Sequence, residues 1–217
     1  MTNRSFARLF SFVQSIVFKR IGSKVHTNAF KGLMDFVFIL LEKVGSKFEA
    51  ISALYLELYR DVVTKEIALA HLSKNEKALV IGSGSLPATP ALLALSTDAI
   101  IVSIDKDRAA VNAATQYVHN HHLEKNLTIV YADGLRYPLS SFDVIFVLYG
   151  VKQPEAMLEY IASQITEKTR VVLRVITNTQ GVLTDKTIDI GKFFFIKDRV
   201  RTQALGSFES LLLMKKP

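Results

Sequence analysis

Two glycines and two aspartates in the middle of the chain are the residues best suited to hold a nucleotide. Gly82 and Gly84 follow the apolar run KALVI and remove side chains where a ligand would approach the backbone. Asp105 ends a second apolar run twenty-one residues after Gly84, where a carboxylate accepts from both hydroxyls of a ribose. Asp133 follows a third run and suits an adenine amino group. The alternative is that both aspartates are ordinary turn or cap residues.

The residues after the glycines predict a helix that begins at once. Pro87 stiffens the turn, Thr89 suits the N-cap and Pro90 suits the first helical position. The free N–H groups of this helix would then face the ligand. A dinucleotide is disfavoured because Pro87 stands where G-x-G-x-x-G has its third glycine, and ATP hydrolysis because no G-K-[ST] follows.

The elements that position these residues are short β-branched runs alternating with helical patterns from residue 75 onward. This alternation predicts a parallel sheet covered on both faces. The last two runs, KFFFIKDRV and ESLLLMKK, are separated by RTQALGSF, which is too short for a helical crossover and predicts an antiparallel pair. We therefore predict an α/β protein with a Rossmann-like seven-stranded sheet, its last strand antiparallel, over residues 75–217. Helical patterns before this point predict an N-terminal helical domain over residues 1–74.

Charge is concentrated at the start of the chain. Residues 1–48 hold eight of the 27 Lys and Arg residues but only two acids, and so most of the net charge of +7. This basic, phenylalanine-rich segment predicts a helical cap over the site or, alternatively, a peripheral membrane contact. The absence of cysteine, of a secretory signal and of an uninterrupted apolar span favours a cytoplasmic location.

These features together resemble the class I S-adenosylmethionine-dependent transferases. Within that superfamily, VIGSGSLPATPALLA resembles the G-S-G-P-L-P-x-T loop of nicotianamine synthases, with Ser85 in place of the first proline. FDVIFV and VVLRVITNTQGVL resemble the fourth and fifth strand regions of that family. The resemblance implies S-adenosylmethionine as cofactor and transfer of its 3-amino-3-carboxypropyl group to an amine of a small amino-acid-like acceptor. The residues it implies for the cofactor are Gly82, Ser83, Gly84, Ser85, Leu86, Asp105, Lys106, Asp133, Gly134 and Tyr149.

The helix before the first strand supplies two candidate acceptor residues. Tyr59 and Glu66 keep a seven-residue spacing that also resembles the nicotianamine synthases and puts both on one helical face. Glu66 would hold the substrate ammonium and take its proton. The alternative is a surface glutamate paired with Lys65 or Arg60.

Two further candidates lie on the sheet. Arg174 sits inside the apolar fifth strand, where a charge needs a partner, either a substrate carboxylate or an internal Asp or Glu. Tyr149 ends the fourth strand, near the cofactor sulfur in this fold, and would shape the pocket or simply pack. With Glu66 and Tyr59 it is a candidate catalytic residue. No metal site is predicted, because the HNHH run ends a helix, where histidine is favourable anyway.

Other function classes remain open. An ordinary methyltransferase acting on a small molecule or lipid would use the same cofactor loop, because the acceptor pocket decides which carbon reacts. An RNA methyltransferase is disfavoured, since no N-P-P-[YF] follows the fourth strand and no RNA-binding module is appended. We thus expect a small-molecule partner and no nucleic acid, while the oligomeric state is not predicted.

Overall fold

The protein was studied as a computed structural model, which describes residues 49–176, 189–202 and 208–217. Residues 1–48, which carry the predictions of a helical cap and a membrane contact, lie outside the described residues. The predicted domain boundary at residue 74 stays a prediction.

The described chain forms one seven-stranded sheet with helices on its two faces. The strand order is β3-β2-β1-β4-β5-β7-β6, and β7 runs antiparallel to both of its neighbours while the other pairs are parallel. The predicted fold is confirmed. The elements are α1 (Glu49–Ala70), β1 (Lys77–Ile81), α2 (Ala88–Ser96), β2 (Ile100–Asp105), α3 (Arg108–Asn120), β3 (Leu127–Tyr131), β4 (Val144–Val147), α4 (Pro154–Gln164), β5 (Arg170–Ile176), a 3-10 turn (Ile190–Lys192), β6 (Phe194–Thr202) and β7 (Phe208–Lys215).

The core has two halves, one on each face of the sheet. Alternate strand residues point to opposite faces, so Ala78 and Val80 pack beneath α1 and α2 while Leu79 and Ile81 pack on the side of α4. Strands whose side chains are buried on both faces are typical of the centre of a parallel sheet. In β4 every residue is buried, and in β1 every residue except the first. The carboxyl ends of β1, β2 and β4 therefore meet at one rigid edge.

Helix α1 packs against the sheet as part of the first core half. Its buried side chains include Val62, Val63 and Leu69, and its carboxyl end is fixed by Arg170 of β5. The Arg170 guanidinium donates to the carbonyls of Ala70 at 2.6 Å and His71 at 2.9 Å. Neither α1 nor any other helix in the described ranges combines the length and apolar character needed to cross a bilayer.

Helix α2 begins two residues earlier than the sequence predicts. Its first residue is Ala88, and Pro87 occupies the cap position without a side-chain cap. The predicted N-cap role of Thr89 is therefore wrong. Thr89 lies in the first helical turn, 2% exposed, and its hydroxyl accepts hydrogen bonds from a side chain of β5 instead of a helix N–H. Pro90 falls in the same first turn, where its missing N–H costs no helical hydrogen bond.

Candidate functional site

The loop after β1 is held in a backbone conformation that favours glycine. Gly82 has φ of +94° and Gly84 has φ of +64°, both in the left-handed region that side chains rarely adopt. The N–H groups of Gly82 and Ser83 donate to the carbonyl of Ile104, at 2.8 and 3.2 Å. The loop is thereby docked onto the end of β2.

Asp105 completes this docking with its side chain. Its Oδ2 accepts from the N–H of Gly84 at 2.9 Å, and its Oδ1 accepts from the N–H of Asp107 at 2.9 Å. A carboxylate has about four lone-pair positions, so each oxygen keeps capacity for a ligand hydroxyl. Lys106 is exposed beside it. Asp105 therefore holds the glycine loop in place. It also keeps the capacity to accept hydrogen bonds from ribose hydroxyls, and that predicted role stays a prediction.

A pocket opens between this loop, the start of α2 and the middle of α1. Ser83 lies in its wall, 4% exposed, and its Oγ is a buried polar atom without a hydrogen-bond partner in the described part of the protein. A buried hydroxyl without a partner is costly, and a polar ligand in the pocket would relieve that cost. The lining residues are Tyr55, Tyr59, Gly82, Ser83, Leu86, Ala88, Thr89, Leu148, Tyr149 and Arg174. This combination fits the amino-acid end of S-adenosylmethionine.

Arg174 of β5 is the charged group of the pocket wall. It is 4% exposed and forms a two-pronged ion pair with Glu66 of α1, with Nε to Oε1 at 2.9 Å and Nη2 to Oε2 at 2.6 Å. Its Nη1 and Nη2 both donate to Oγ1 of Thr89 at 3.2 Å. Burial alone would lower the pKa of Arg174, but the adjacent Glu66 carboxylate outweighs it and raises the pKa. Arg174 is therefore a fixed cation.

Glu66 is completely buried and is not part of the pocket lining. The alternative of a surface glutamate paired with Lys65 or Arg60 is wrong, because Lys65 pairs with Asp61 and Arg60 with Glu57. Besides Arg174, Glu66 Oε1 accepts from the hydroxyl of Ser210 on β7 at 2.6 Å. Both oxygens of Glu66 thus face Arg174, an arrangement that favours a positioning role over the predicted role as a base.

Three tyrosines border the same pocket. Tyr55 and Tyr59 lie one turn apart on α1, with ring centroids 4.8 Å apart and hydroxyls 3.3 Å apart. The Arg174 guanidinium lies 5.5 Å from the Tyr59 ring centroid, within the range of a cation–π contact. Tyr149 follows β4 and lines the pocket, which agrees with the prediction that it shapes the pocket. The catalytic roles suggested for Tyr59 and Tyr149 stay predictions.

Asp133 and Gly134 lie outside this pocket lining. The Asp133 carboxylate accepts from the N–H of Leu135 at 3.0 Å, which is the turn role weighed against adenine binding. A side chain on Gly134 would meet Met157 Cε at 2.8 Å and Ile81 Cγ2 at 3.0 Å, so packing accounts for this glycine. Their predicted contacts with the cofactor stay predictions.

The histidine run at the end of α3 contacts neighbouring side chains. His119 Nδ1 lies 2.7 Å from Glu124 Oε1, and the ring centroids of His121 and Tyr117 are 4.1 Å apart. Within the described residues, no group of three or more His, Cys, Asp or Glu side chains is arranged to hold a metal ion.

Sequence reasoning missed Tyr55, Ser210 and Leu148 as well as Ala88, and it gave Thr89 only a capping role. Tyr55 has the signal of ordinary helical core, because its spacing from Tyr59 is that of an apolar stripe. Ser210 is a polar residue inside the apolar run of β7, and this pattern could have suggested a buried hydrogen bond. Leu148 simply continues the apolar fourth strand.

Known proteins resemble this chain in sequence and in fold. A profile of the family described as Protein-L-isoaspartate(D-aspartate) O-methyltransferase matches residues 47–196. The L-histidine 2-aminobutanoyltransferase of Yersinia pestis is 31% identical over 121 residues, which are 55% of this chain and 45% of that protein. The chain thus spans about half the length of this curated relative.

Among solved structures, a mutant of the nicotianamine synthase MtNAS in complex with S-adenosylmethionine has a TM-score of 0.82 at 17% identity, over 100% of this chain and 93% of that one. An RNA methyltransferase from Salinibacter ruber in complex with S-adenosyl-L-homocysteine has a TM-score of 0.57 at 14% identity, over 72% of this chain and 92% of that one. At such identities these likenesses concern the fold alone.

The sequence match and the fold agree on one superfamily. The family profile covers more than half of the chain, including the glycine loop and Asp105. The predicted resemblance to class I S-adenosylmethionine-dependent transferases is confirmed, and the likeness to the nicotianamine synthase MtNAS is one of fold. The chain therefore belongs to the Protein-L-isoaspartate(D-aspartate) O-methyltransferase family.

Proposed function

We propose that the protein transfers the 3-amino-3-carboxypropyl group of S-adenosylmethionine to an amine of a small amino-acid-like acceptor. The observation that carries this proposal is the buried Arg174 guanidinium in the wall of the pocket next to the glycine loop. The transferred group and an amino-acid acceptor both bear a carboxylate, and arginine is well suited to bind carboxylates.

The cofactor would lie along the end of β1 and β2. In this arrangement Gly82 to Leu86 face its methionine part, Ser83 Oγ gains a partner, and Asp105 accepts from the ribose hydroxyls. Lys106 and Asp133 would border the adenosine end, and Tyr149 the sulfur. Support comes from the Ser83 hydroxyl, which has no hydrogen-bond partner among the described residues, and from the remaining acceptor capacity of Asp105.

The bound cofactor supplies an electrophilic carbon next to its sulfonium. The acceptor nitrogen uses its lone pair to bond to the methylene of the aminocarboxypropyl arm while the C–S bond breaks and its electron pair goes to sulfur. The nitrogen becomes an ammonium and releases one proton to solvent, and 5′-methylthioadenosine leaves. Because the arm and the methyl group adjoin the same sulfur, positioning decides between them. Arg174, held by Glu66, is the group that we propose does the positioning.

The curated relative indicates an acceptor class. Its name describes transfer of a 2-aminobutanoyl unit to L-histidine, and it is 31% identical to part of this chain. That part is about half of the relative, so its activity supports our proposal only as an analogy. L-histidine is accordingly the first acceptor to test, followed by other amino acids with a side-chain amine or imidazole.

Methyl transfer to a small molecule is the second candidate. The observation in its favour is the family match over residues 47–196, because that family is described by an O-methyltransferase activity. Both candidates use the same cofactor residues and a small-molecule acceptor. Cytoplasmic location and the helical cap over residues 1–48 stay predictions from the sequence, as does the peripheral membrane contact.

The by-product of turnover decides between the two candidates. The protein is incubated with S-adenosylmethionine and L-histidine, and the nucleosides are separated by chromatography. We expect 5′-methylthioadenosine, together with an acceptor enlarged by an aminocarboxypropyl unit in the mass spectrum. Reactions without protein and without acceptor measure spontaneous breakdown of the cofactor. S-adenosylhomocysteine as the sole enzymatic by-product would establish methyl transfer and exclude our first proposal.

A further inference from the structure

The Thr89 hydroxyl has a proton with no acceptor in the described part of the protein. Its oxygen receives two hydrogen bonds from Arg174, from Nη1 and Nη2, each at 3.2 Å. A threonine hydroxyl has two lone pairs and one O–H donor, so these bonds occupy its acceptor capacity and leave the donor. Thr89 is 2% exposed and lines the pocket, so that donor is not satisfied by bulk water.

Arg174 also has one N–H donor without an acceptor among the residues that the structure describes. Of its five N–H groups, Nε–H and one Nη2–H bind Glu66, while the other Nη2–H and one Nη1–H bind Thr89. The remaining Nη1–H lies on the edge of the planar guanidinium opposite Glu66. Arg174 and Thr89 both line the pocket and are hydrogen-bonded to each other, so the remaining N–H and O–H donors belong to neighbouring side chains of one wall.

We infer that Thr89 and Arg174 together form a carboxylate subsite, in which the Thr89 O–H binds one oxygen and the Arg174 Nη1–H binds the other. The inference rests on the proposed function and adds to it a specificity-determining residue, Thr89. Neighbouring donors, one of them charged, suit a carboxylate because it accepts several hydrogen bonds at once. A methyl group or a second cation in the same place would leave both buried donors unsatisfied.

A carboxylate at this wall has two sources, the cofactor and the acceptor. The cofactor carries one on its methionine arm, and an amino-acid acceptor carries its own. Each source has a partner molecule that lacks the carboxylate. For the cofactor the pair is S-adenosylhomocysteine and 5′-methylthioadenosine, and for the acceptor it is L-histidine and histamine.

The test measures binding of these four compounds by calorimetry to the wild type and to Thr89→Val, which keeps the shape and removes the hydroxyl. Loss of a hydrogen bond to a charged group is worth about tenfold or more in affinity. We expect Thr89→Val to weaken one carboxylate compound by about tenfold and its carboxylate-free partner by much less. Thr89→Ser restores the donor and should restore binding. Thr97→Val, at the other end of α2, is the matched control and should bind as the wild type does. Thr89→Ala replaces Thr89→Val if that variant does not fold.

The outcomes separate the sources and the proposals. A selective loss for S-adenosylhomocysteine assigns the subsite to the cofactor, and a selective loss for L-histidine assigns it to the acceptor. Equal weakening within both pairs, or no change in either, overturns the subsite; L-histidine that fails to bind the wild type counts as no change. These experiments measure binding, whereas the by-product assay measures group transfer. Failure of the carboxylate subsite can therefore be distinguished from failure of the proposed function.

Discussion

Two arginines of β5 each bind a glutamate from the α1 region, yet the two pairs have different surroundings. Arg170 and Arg174 are four residues apart and point to the same face of the sheet. Arg170 pairs with Glu76 and also donates to two carbonyls at the end of α1, with side chains 18% and 24% exposed. Arg174 pairs with Glu66 at the pocket, with side chains 3% and 1% exposed.

The difference distinguishes a structural ion pair, that of Arg170, from an ion pair of the candidate site, that of Arg174. The donors of Arg170 go to carbonyls and a carboxylate that must be satisfied in any case, so this pair ties a helix end to a strand. Arg174 lines the pocket with Ser83 and Thr89, whose hydroxyl groups each lack one hydrogen-bond partner within the described ranges of the chain. Burying a charge costs free energy, and at the pocket the buried Arg174 charge lies near hydroxyl groups that can still form hydrogen bonds with a ligand. This coincidence is what distinguishes the candidate site.

The largest expected effect is that of breaking the pocket pair. Glu66→Gln leaves the Arg174 charge buried without a counter-charge, which costs about 3–5 kcal/mol of the free energy of unfolding. Urea denaturation measures this change. The paired variant Glu66→Met with Arg174→Met should recover most of the stability but should bind one of the two carboxylate compounds, S-adenosylhomocysteine or L-histidine, far more weakly than the wild type. A paired variant that binds both compounds normally would contradict the role of Arg174.

If Glu66→Gln retains its fold, its rate separates a base from a positioning residue. A general base contributes about 10²–10⁴ in rate and imposes an acidic limb on the pH–rate profile. A positioning role predicts instead a raised KM and a pH profile of unchanged shape. Steady-state kinetics over a range of pH measures both quantities, with Glu57→Gln as the control.

The next largest effect is expected for a substitution at the end of β2, which leaves the Glu66–Arg174 ion pair intact. Asp105→Ala removes the acceptor of the Gly84 N–H and, in our proposal, the acceptor of the ribose hydroxyls. We expect cofactor affinity to fall by about 1.5–3 kcal/mol, the scale of a hydrogen bond to a charged group. Titration calorimetry with S-adenosylmethionine checks this. Unchanged affinity, or tighter binding of NAD than of S-adenosylmethionine, would refute the ribose assignment.

The Arg170 pair should show a smaller effect with a distinct pH dependence. Burial alone would raise the pKa of Glu76, but the Ser73 N–H and Arg170 outweigh it and hold the pKa below its ordinary value of 4.5. A lowered folded-state pKa stabilises the fold above the unfolded value and loses that contribution as pH falls through the folded value. Glu76→Gln should therefore lose about 1–2 kcal/mol at pH 7.

The difference between wild type and Glu76→Gln should shrink as pH falls below about 4.5, and denaturation at several pH values tests this. Binding of S-adenosylhomocysteine at pH 7 should be the same in both. A stability difference independent of pH would show that the charge of Glu76 is not the cause.

The smallest effect is expected for an exposed pair on the same helix. Arg60 and Glu57 lie 2.8 Å apart with side chains 57% and 66% exposed. Exposed pairs at this spacing are worth about 0.3–0.5 kcal/mol. Glu57→Gln should lower the free energy of unfolding, measured by urea denaturation, by no more than this. A larger loss would imply that α1 depends on its surface charges and would weaken the contrast with Glu66.

The fold was predictable because its signals are local, whereas the site depends on contacts between distant segments. Each strand is a short apolar run, and the brief connection before β7 is enough to predict its reversal. Arg174 within β5 predicts a partner, but the identity of that partner depends on how α1 lies across the sheet, 108 residues away in the chain. Thr89 was misassigned because a threonine before a helix usually caps it, and here a buried guanidinium competes successfully for the hydroxyl.

The placement of β7 has a consequence for how the protein is made. β7 is formed after β6 yet lies between β5 and β6, so β6 has no neighbour in the sheet until β7 has left the ribosome. During synthesis β5 is therefore an open edge, and the two final strands must join it together as a hairpin. Ser210 travels with that hairpin, so Glu66 receives its last hydrogen bond only when translation of β7 is complete. Until that moment the edge of β5 that β7 will cover is unpaired, and an unpaired strand edge is prone to aggregation.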